Sequence, residues 1–155
     1  MSLIFLGLGS NIGNRRENME KALALIAGRV GVVGSLSGFY ETSPWGYESA
    51  ETYLNAVVRV DTGLSPIEAH SVLQTIEKEI GRTEKTINGK YHDRIIDIDI
   101  LLYDNLILQM PELTIPHPLM LRRQFVMQPL SEIAPDLIHP VSGKTMAEHS
   151  RLPEV

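Results

Sequence analysis

The order of strand-like and helix-like patterns along the chain limits its fold more than any other feature. Residues 3–8 form a short apolar run that ends in turn residues, as a buried strand does. Asn14 and Glu17 have the spacing of a helix capping box, and apolar residues then recur at helical intervals up to Gly28. The later patterns are strands over residues 30–40, 53–61 and 94–103, with a helix over residues 65–81.

The resulting βαββαβ order predicts an α+β fold of the ferredoxin-like type, in which both helices cover one face of an antiparallel sheet. Residues 106–138 are expected to cover the other face, which is the active-site side, and the residues after Pro140 are expected to be peripheral. With 155 residues, 43% of them hydrophobic, the chain can bury one core, so we expect a single domain over residues 1–155. The polar stretches 42–52 and 82–93 are then loops suited to carry function.

Composition argues against several classes of function. The formal net charge of −5 is unlike that of domains that bind nucleic acid through its phosphates. The apolar run at residues 3–8 is too short to cross a bilayer and lacks the flanks of a signal peptide, so we expect no membrane contact. The chain has no cysteine, which excludes disulfides and thiolate sites within it and agrees with a cytoplasmic protein.

The last strand pattern carries two aspartates, Asp97 and Asp99, between apolar neighbours. Because the two are two residues apart on a strand, their side chains point to the same face. Carboxylates this close repel one another and lose hydration, and a divalent cation offsets both effects. Oxygen ligands suit magnesium, and a spacing of roughly 7 Å along the strand permits two ions ~3.5–4 Å apart. On these residues alone, a solvated face on which both carboxylates pair with Arg or Lys stays open.

Cationic and aromatic residues add to the candidate site. Arg82, Lys85, Lys90 and Arg94 fall in one stretch, where they could bind a polyanionic small molecule. Three aromatic residues could stack on a flat heterocycle or serve the core, namely Trp45, Tyr53 and Phe125. His117 is held between two prolines and is either a structural histidine or part of the site.

Two familiar phosphate-binding motifs are ruled out. Gly7-Leu8-Gly9 lacks the third glycine of a dinucleotide fingerprint, and Gly143-Lys144-Thr145 lacks the earlier glycine of a Walker loop. A site for ATP would therefore need another architecture.

The ordered motifs of the chain resemble those of the 6-hydroxymethyl-7,8-dihydropterin pyrophosphokinases, which are enzymes of folate biosynthesis. The resemblance covers most of the length and is most specific in Arg94-Ile95-Ile96-Asp97-Ile98-Asp99-Ile100-Leu101. The other matching motifs are Gly9-Ser10-Asn11, Phe39-Tyr40 with Thr42 and Pro44, Tyr53-Leu54-Asn55-Ala56-Val57, Ile76-Glu77 with Gly81-Arg82, Pro116-His117-Pro118 and Arg123-Gln124-Phe125-Val126.

This resemblance implies a magnesium-dependent reaction in which the hydroxyl group of a reduced pterin attacks the β-phosphorus of ATP and AMP leaves. It implies ATP and the pterin as small-molecule partners and two Mg²⁺ ions in the site. We expect the enzyme to act as a monomer. Transfer of this kind needs alignment and charge neutralisation rather than a covalent nucleophile.

The resemblance also implies roles for individual residues. The catalytic residues would be Arg82, Arg94, Asp97 and Asp99, of which Asp97 and Asp99 would hold the metal. The pterin-binding residues would be Thr42, Pro44, Trp45, Tyr53, Asn55 and Phe125. The residues around ATP would be Gln74, Glu77, Lys85, Arg94, Ile100, Thr114, His117 and Arg123, with Arg123 stabilising the phosphate chain.

Some positions depart from the family pattern. The residues just before Arg94 are Tyr91, His92 and Asp93, where the family usually has Trp, a small residue and Pro. Glu84, Glu112 and Pro118 also replace residues that other members carry. Two alternatives therefore stay open: a catalytically weakened homologue that binds pterin or nucleotide, and a regulatory module whose acidic pair is only a solvated face.

Overall fold

The computed structural model describes residues 1–42, 52–82 and 95–150, with only the backbone described at Arg82. The strands are β1 (Ser2–Ser10), β2 (Gly31–Leu36), β3 (Tyr40–Thr42), β4 (Tyr53–Thr62), β5 (Asp97–Tyr103), β6 (Leu108–Gln109) and β7 (Thr114–Ile115). The helices are α1 (Arg15–Arg29), α2 (Pro66–Arg82), α3 (Gln124–Ile133) and α4 (Met146–Ser150), with a 3₁₀ turn at Met120–Arg122. Within these residues, no helix is long and apolar enough to span a bilayer.

Four long strands form the main sheet in the order β2-β4-β1-β5, and the short strand β3 pairs with β4 beyond the end of β2. Every pairing in this sheet is antiparallel. The predicted α+β class with an antiparallel sheet is therefore confirmed. The label ferredoxin-like stays a prediction.

Both long helices begin where the sequence predicts. The Asn14 side chain accepts a hydrogen bond from the backbone N–H of Glu17 at 3.0 Å. At the start of α2, the Ser65 N–H donates to Glu68 Oε1 at 2.9 Å. In return, the Glu68 N–H donates to Ser65 Oγ at 3.2 Å. These capping bonds satisfy donors that the first helical turn leaves unpaired.

The helices α1 and α2 cover one face of the sheet, as predicted. The buried residues of this helix-side cluster include Ile4, Leu6 and Leu8 of β1 and the even-numbered residues of β4. The apolar stripe predicted for α2 packs here, namely Ala69, Leu73, Ile76 and Ile80. The alternation of β1 and β4 therefore separates the two faces of the sheet.

The opposite face carries a second core, the C-terminal cluster, built from Phe5, Val57, Leu101 and Leu102 with α3. Within the range 106–138, residues 120–137 supply the predicted cover, whereas Leu113 and Ile115 are buried in the helix-side cluster. The expectation that residues after Pro140 are peripheral is wrong, because Met146 at the start of α4 is fully buried in this cluster. One buried methionine docks this five-residue helix. A helix this short is too brief to show a periodic apolar pattern in the sequence.

Two strand predictions need correction. The pattern over residues 30–40 forms two strands, because the Ser37 hydroxyl accepts the bond of the Val57 N–H and takes residues 37–39 out of the regular ladder. The last strand begins at Asp97 rather than at residue 94. It also contains a bulge: Phe5 pairs with Leu102 and Leu6 with Ile100, which leaves Leu101 without a partner in the register.

We expect Met146→Ala to lower the free energy of unfolding by about 2–4 kcal/mol, since it removes a buried side chain from a closed core. Urea unfolding followed by circular dichroism would measure the change. Met110→Ala is the matched control, because Met110 is 36% exposed. Equal stability of the two variants would contradict the assignment of Met146 to the core.

We also expect the C-terminal region to lose stability in acid. Nδ1 of His139 accepts hydrogen bonds from the N–H groups of Val141 and Ser142, both at 3.2 Å, so the ring must be deprotonated there. Burial lowers the pKa of His139 below 6.5, and the nearby ring of His149 lowers it further. Below pH 6.5 the unfolded chain gains a proton that the folded chain resists, so the free energy of unfolding falls as the pH falls through the folded-state pKa.

Unfolding curves at several pH values between 7.5 and 4.5 test this dependence. The variant His139→Asn keeps an acceptor oxygen without titrating, so its stability should depend less on pH. An unchanged slope in the variant would show that other groups cause the acid sensitivity.

Candidate active site

A pocket opens on the C-terminal side of the sheet, between the strands and the start of α3. It encloses about 680 Å³ including its open mouth. We call this cavity the central pocket. The residues that line it are Gly7, Leu8, Gly9, Thr42, Tyr53, Asn55, Ala56, Val57, Asp97, Asp99, Leu101, Arg123, Phe125 and Val126. Most of the described residues predicted for pterin and metal binding are therefore brought together.

Two glycines of β1 form part of the floor of the central pocket. The register places Gly9 between Asn55 of β4 and Asp97 of β5. A Cβ at Gly9 would lie 3.1 Å from the Asn55 Oδ1 atom, which is tighter than an ordinary contact. The absence of a side chain at Gly9 thus leaves room for the Asn55 amide beside the acidic strand.

The Asn55 amide is held in one orientation. Its Nδ2 atom donates a hydrogen bond to Thr42 Oγ1 at 2.7 Å, and the side chain is only 5% exposed. Tyr53, two residues earlier on β4, lines the same pocket. Buried polar groups need hydrogen-bond partners, and the bond to Thr42 supplies one for the Asn55 amide. This wall therefore presents an amide of fixed orientation next to an aromatic ring.

Asp97 and Asp99 both line the central pocket, which confirms that their side chains share a face. Glu77 of α2 joins them at the outer edge of β5, where its Oε2 atom accepts a hydrogen bond from the Ile98 N–H at 2.8 Å. Burial raises the pKa of Glu77 to about 7; the charges of Asp97 and Asp99 add to this rise, and the bond from Ile98 opposes it. Three carboxyl groups therefore lie close together, and two of them, Asp97 and Asp99, line the pocket.

His117 lies beside this acidic group, with its Nε2 atom 4.0 Å from Asp99 Oδ2. Burial lowers the pKa of His117 to about 4, with a further lowering by the charge of Arg123 and an opposing effect of Asp97. Its Nδ1 atom accepts from the Leu119 N–H at 3.2 Å. The ring is thus neutral at pH 7 with its proton on the nitrogen that faces Asp99, and the contact is not an ion pair.

Arg123 and Phe125, at the start of α3, form another wall of the central pocket. Arg123 is the N-cap residue of α3, and its guanidinium carbon lies 5.6 Å from the centroid of the Phe125 ring. A cation and an apolar ring face therefore stand together at the pocket wall. Phe125 and Tyr53 are the two aromatic side chains of the lining.

Other predicted residues do not line the central pocket. Gln74 is exposed on α2, the Ile100 side chain is buried in the helix-side cluster, and Thr114 belongs to β7. Pro44, Trp45, Lys85 and Arg94 lie outside the described residues, as do Glu84, Tyr91, His92 and Asp93. The nucleotide roles of these residues stay predictions, as does the role of Arg82.

The apolar floor of the pocket was not predicted as part of the site. Val57 and Leu101 line it together with Gly7. Strand alternation could have found two of them, because Val57 is two residues beyond Asn55 and Leu101 two beyond Asp99. A floor of this kind favours a flat, partly apolar ligand.

Comparisons with known proteins identify the family of the chain. The family model described as 7,8-dihydro-6-hydroxymethylpterin-pyrophosphokinase (HPPK) matches residues 5–135. A 2-amino-4-hydroxy-6-hydroxymethyldihydropteridine pyrophosphokinase of Porphyromonas gingivalis is 50% identical over 141 residues, which cover 90% of this chain and 95% of the relative. The enzyme of that name from Aquifex aeolicus is 38% identical over 148 residues, covering 96% of this chain and 90% of the relative.

A solved structure agrees at the level of the fold. The Plasmodium falciparum protein described as HPPK-DHPS wild type matches with a TM-score of 0.80 and 18% sequence identity. The match covers 96% of this chain, which spans 44% of that longer chain. The family model and the two similar enzymes show that this chain belongs to the 7,8-dihydro-6-hydroxymethylpterin-pyrophosphokinase family.

Proposed function

We propose that this chain transfers the pyrophosphoryl group of ATP to the hydroxymethyl group of 6-hydroxymethyl-7,8-dihydropterin, with the pterin in the central pocket and magnesium on Asp97 and Asp99. Membership of the family makes the protein a pyrophosphokinase of folate biosynthesis that uses ATP and a pterin. The placement of the substrates and the metal is our inference. It rests on one observation above all: a ring-sized pocket with a fixed amide opens directly beside two carboxylates.

The walls of the central pocket suit a pterin. Tyr53 and Phe125 offer ring faces for a flat heterocycle, and Val57 and Leu101 offer an apolar floor. The Asn55 amide, held by Thr42, can exchange hydrogen bonds with the polar edge of the ring. A site that buries such polar groups discriminates against ligands that leave them unpaired. Pro44 and Trp45 would complete this subsite by resemblance.

The acidic end of the pocket suits magnesium. Among residues 1–42, 52–82 and 95–150, no cluster of three or more His, Asp or Glu side chains is placed to enclose a metal ion. Magnesium does not need one, since it is usually held by one or two carboxylates together with waters and substrate phosphates. Asp97 and Asp99 would be those carboxylates, and by resemblance they would hold two ions. When bound, the metal neutralises phosphate charge and aligns the reacting groups.

The side chains of the protein would then orient the substrates and help to neutralise the charge of the phosphate chain. Arg123 lines the central pocket close enough to His117 for its charge to lower the pKa of that ring, and it would stabilise the phosphate chain. His117, neutral at pH 7, can donate a hydrogen bond but adds no charge. Catalysis thus depends on alignment of the pterin hydroxyl group with the β-phosphorus and on stabilisation of the developing charge.

The alternative of a catalytically weakened binder has no support among the described residues. The departures that suggest it, Tyr91, His92 and Asp93, lie outside them. Both aspartates of the pair are present and line the pocket. Measurement of turnover separates the two functions.

We expect Asp97→Asn to lower pterin-dependent AMP release from magnesium ATP by about 100-fold or more, because the variant loses a charged metal ligand. Pterin binding without nucleotide should change little. Asp136→Asn is the control, since Asp136 is an exposed carboxylate outside the pocket. Wild-type turnover in Asp97→Asn would refute the metal role, whereas absence of AMP even from the wild type would favour the binding module.

We expect Phe125→Ala to raise the KM for the pterin by about tenfold or more while the KM for ATP changes little, because the ring face is lost. Phe125→Leu keeps most of the apolar volume and should fall between the wild type and the alanine variant. Steady-state kinetics with each substrate varied would measure both constants. A change confined to the KM for ATP would show that the central pocket is not the pterin site.

A further inference from the structure

Arg15, the first residue of α1, binds both chain segments that adjoin the wall of the central pocket. Its Nη1 atom donates to the Thr52 carbonyl oxygen at 2.9 Å and to Thr52 Oγ1 at 2.7 Å. Its Nη2 atom donates to Glu41 Oε1 at 2.6 Å. We propose that Arg15 is a positioning residue for the pterin, acting through Glu41 and Thr52 on the pocket residues beside them. This inference rests on the proposed placement of the pterin.

Each residue that Arg15 holds precedes a pocket residue. Glu41 comes directly before Thr42, and Thr52 directly before Tyr53, and the register pairs Thr42 with Tyr53. Because side chains alternate along a strand, Glu41 points away from the pocket while Thr42 points toward it. Arg15 therefore holds the pocket wall from behind, on the side of the sheet where α1 packs.

The strand β3 needs such support, because it is short and pairs with β4 alone among the described strands. Three register pairs connect the two strands, and the last of them is Thr42 with Tyr53. Glu132 of α3 holds the other end, where it accepts hydrogen bonds from Gly38 N–H and the Tyr40 hydroxyl. Arg15 is the contact at the end that carries Thr42 and, through it, the Asn55 amide.

Arg15 itself stands on a rigid base. Asn18, one turn along α1, is buried and donates from Nδ2 to Ser10 Oγ at 3.2 Å and to the Ile12 carbonyl oxygen at 2.9 Å. The Asn14 side chain caps the helix. These bonds tie the start of α1 to the end of β1, the strand that supplies Gly9 to the pocket floor. The guanidinium thus links the floor and the wall of one site.

The contacts of Arg15 position the chain more than they stabilise the fold. The Glu41 side chain is 61% exposed, and ion pairs with so exposed a partner contribute little to folding. The two bonds to Thr52 fix the direction of the guanidinium and of the chain entering β4. Loss of Arg15 should therefore loosen Thr42 and Tyr53 and affect pterin binding more than unfolding.

The test compares Arg15→Met with Arg29→Met. Arg29 lies at the other end of α1 and makes a two-bond ion pair with Glu79 at 2.8 and 2.9 Å, away from the pocket. We expect Arg15→Met to raise the KM for the pterin by about tenfold while kcat and the KM for ATP change by less than about twofold. Arg29→Met should leave all three constants near the wild-type values.

A second variant keeps the test decisive if Arg15→Met fails to fold. Arg15→Lys retains the charge but not the two-pronged geometry, so its KM for the pterin should lie between those of the wild type and Arg15→Met. Urea unfolding of each variant gives the readout that a merely structural role would move. Equal losses of pterin and ATP binding that follow a loss of stability would overturn the proposal.

Phe125→Ala, measured alongside, separates this inference from the proposed pterin site. If Phe125→Ala weakens pterin binding and Arg15→Met does not, the positioning role is overturned while the site stands. If neither variant changes the KM for the pterin, the site assignment fails and the positioning role fails with it. An increase in both, with Arg29→Met unaffected, supports the proposal.

Discussion

The register of β1 between β4 and β5 is the constraint on which the active site depends. Because β1 lies between β4 and β5, a residue of β1 can pair with one residue on each side. Gly9 pairs with Asn55 of β4 and with Asp97 of β5. If β1 were shifted by one residue against β4 alone, the Asn55 amide and the carboxylates of β5 would point to opposite faces of the sheet. The alternation of core residues on the helix side fixes this register, so the hydrophobic core and the site specify each other.

Electrostatics sets the second constraint. Glu77 lies beside Asp97 and Asp99; burial raises the pKa of Glu77 to about 7, and the charges of the two aspartates add to this rise. Their arrangement costs free energy when no positive charge is near. Arg123, the N-cap residue of α3, lines the same pocket and places a positive charge there. Under the proposed function, magnesium would neutralise the carboxylates and Arg123 would stabilise the phosphate chain.

Much of the fold follows from local sequence patterns. Capping residues at Asn14 and Ser65 mark the starts of both long helices, and alternation assigns Asp97 and Asp99 to one face of their strand. Local patterns fail where a contact distant in sequence decides the outcome. The break after β2 depends on a hydroxyl bonded across the sheet to Val57, and the docking of α4 depends on one buried methionine.

The candidate site was predicted in the same uneven way. The described strand residues that were predicted to bind pterin and metal meet in the central pocket, because their motif spacing and strand alternation already place them on one face. The contacts of Arg15 could not be predicted, since they join a helix start to two segments whose positions only the assembled sheet determines. Roles around the nucleotide stay predictions, because Lys85 and Arg94 lie outside the described residues and Gln74, Ile100 and Thr114 do not line the central pocket.

The bond between Glu77 and Ile98 has a further consequence for self-association. β5 lies at the end of the strand order, and an exposed strand edge can recruit a strand from another molecule. The Glu77 carboxyl group accepts the hydrogen bond of one donor on that edge. The same side chain therefore lies beside the acidic pair of the candidate site and satisfies a donor at the edge of the described sheet, so its substitution would free that donor as well as change the electrostatics beside Asp97 and Asp99.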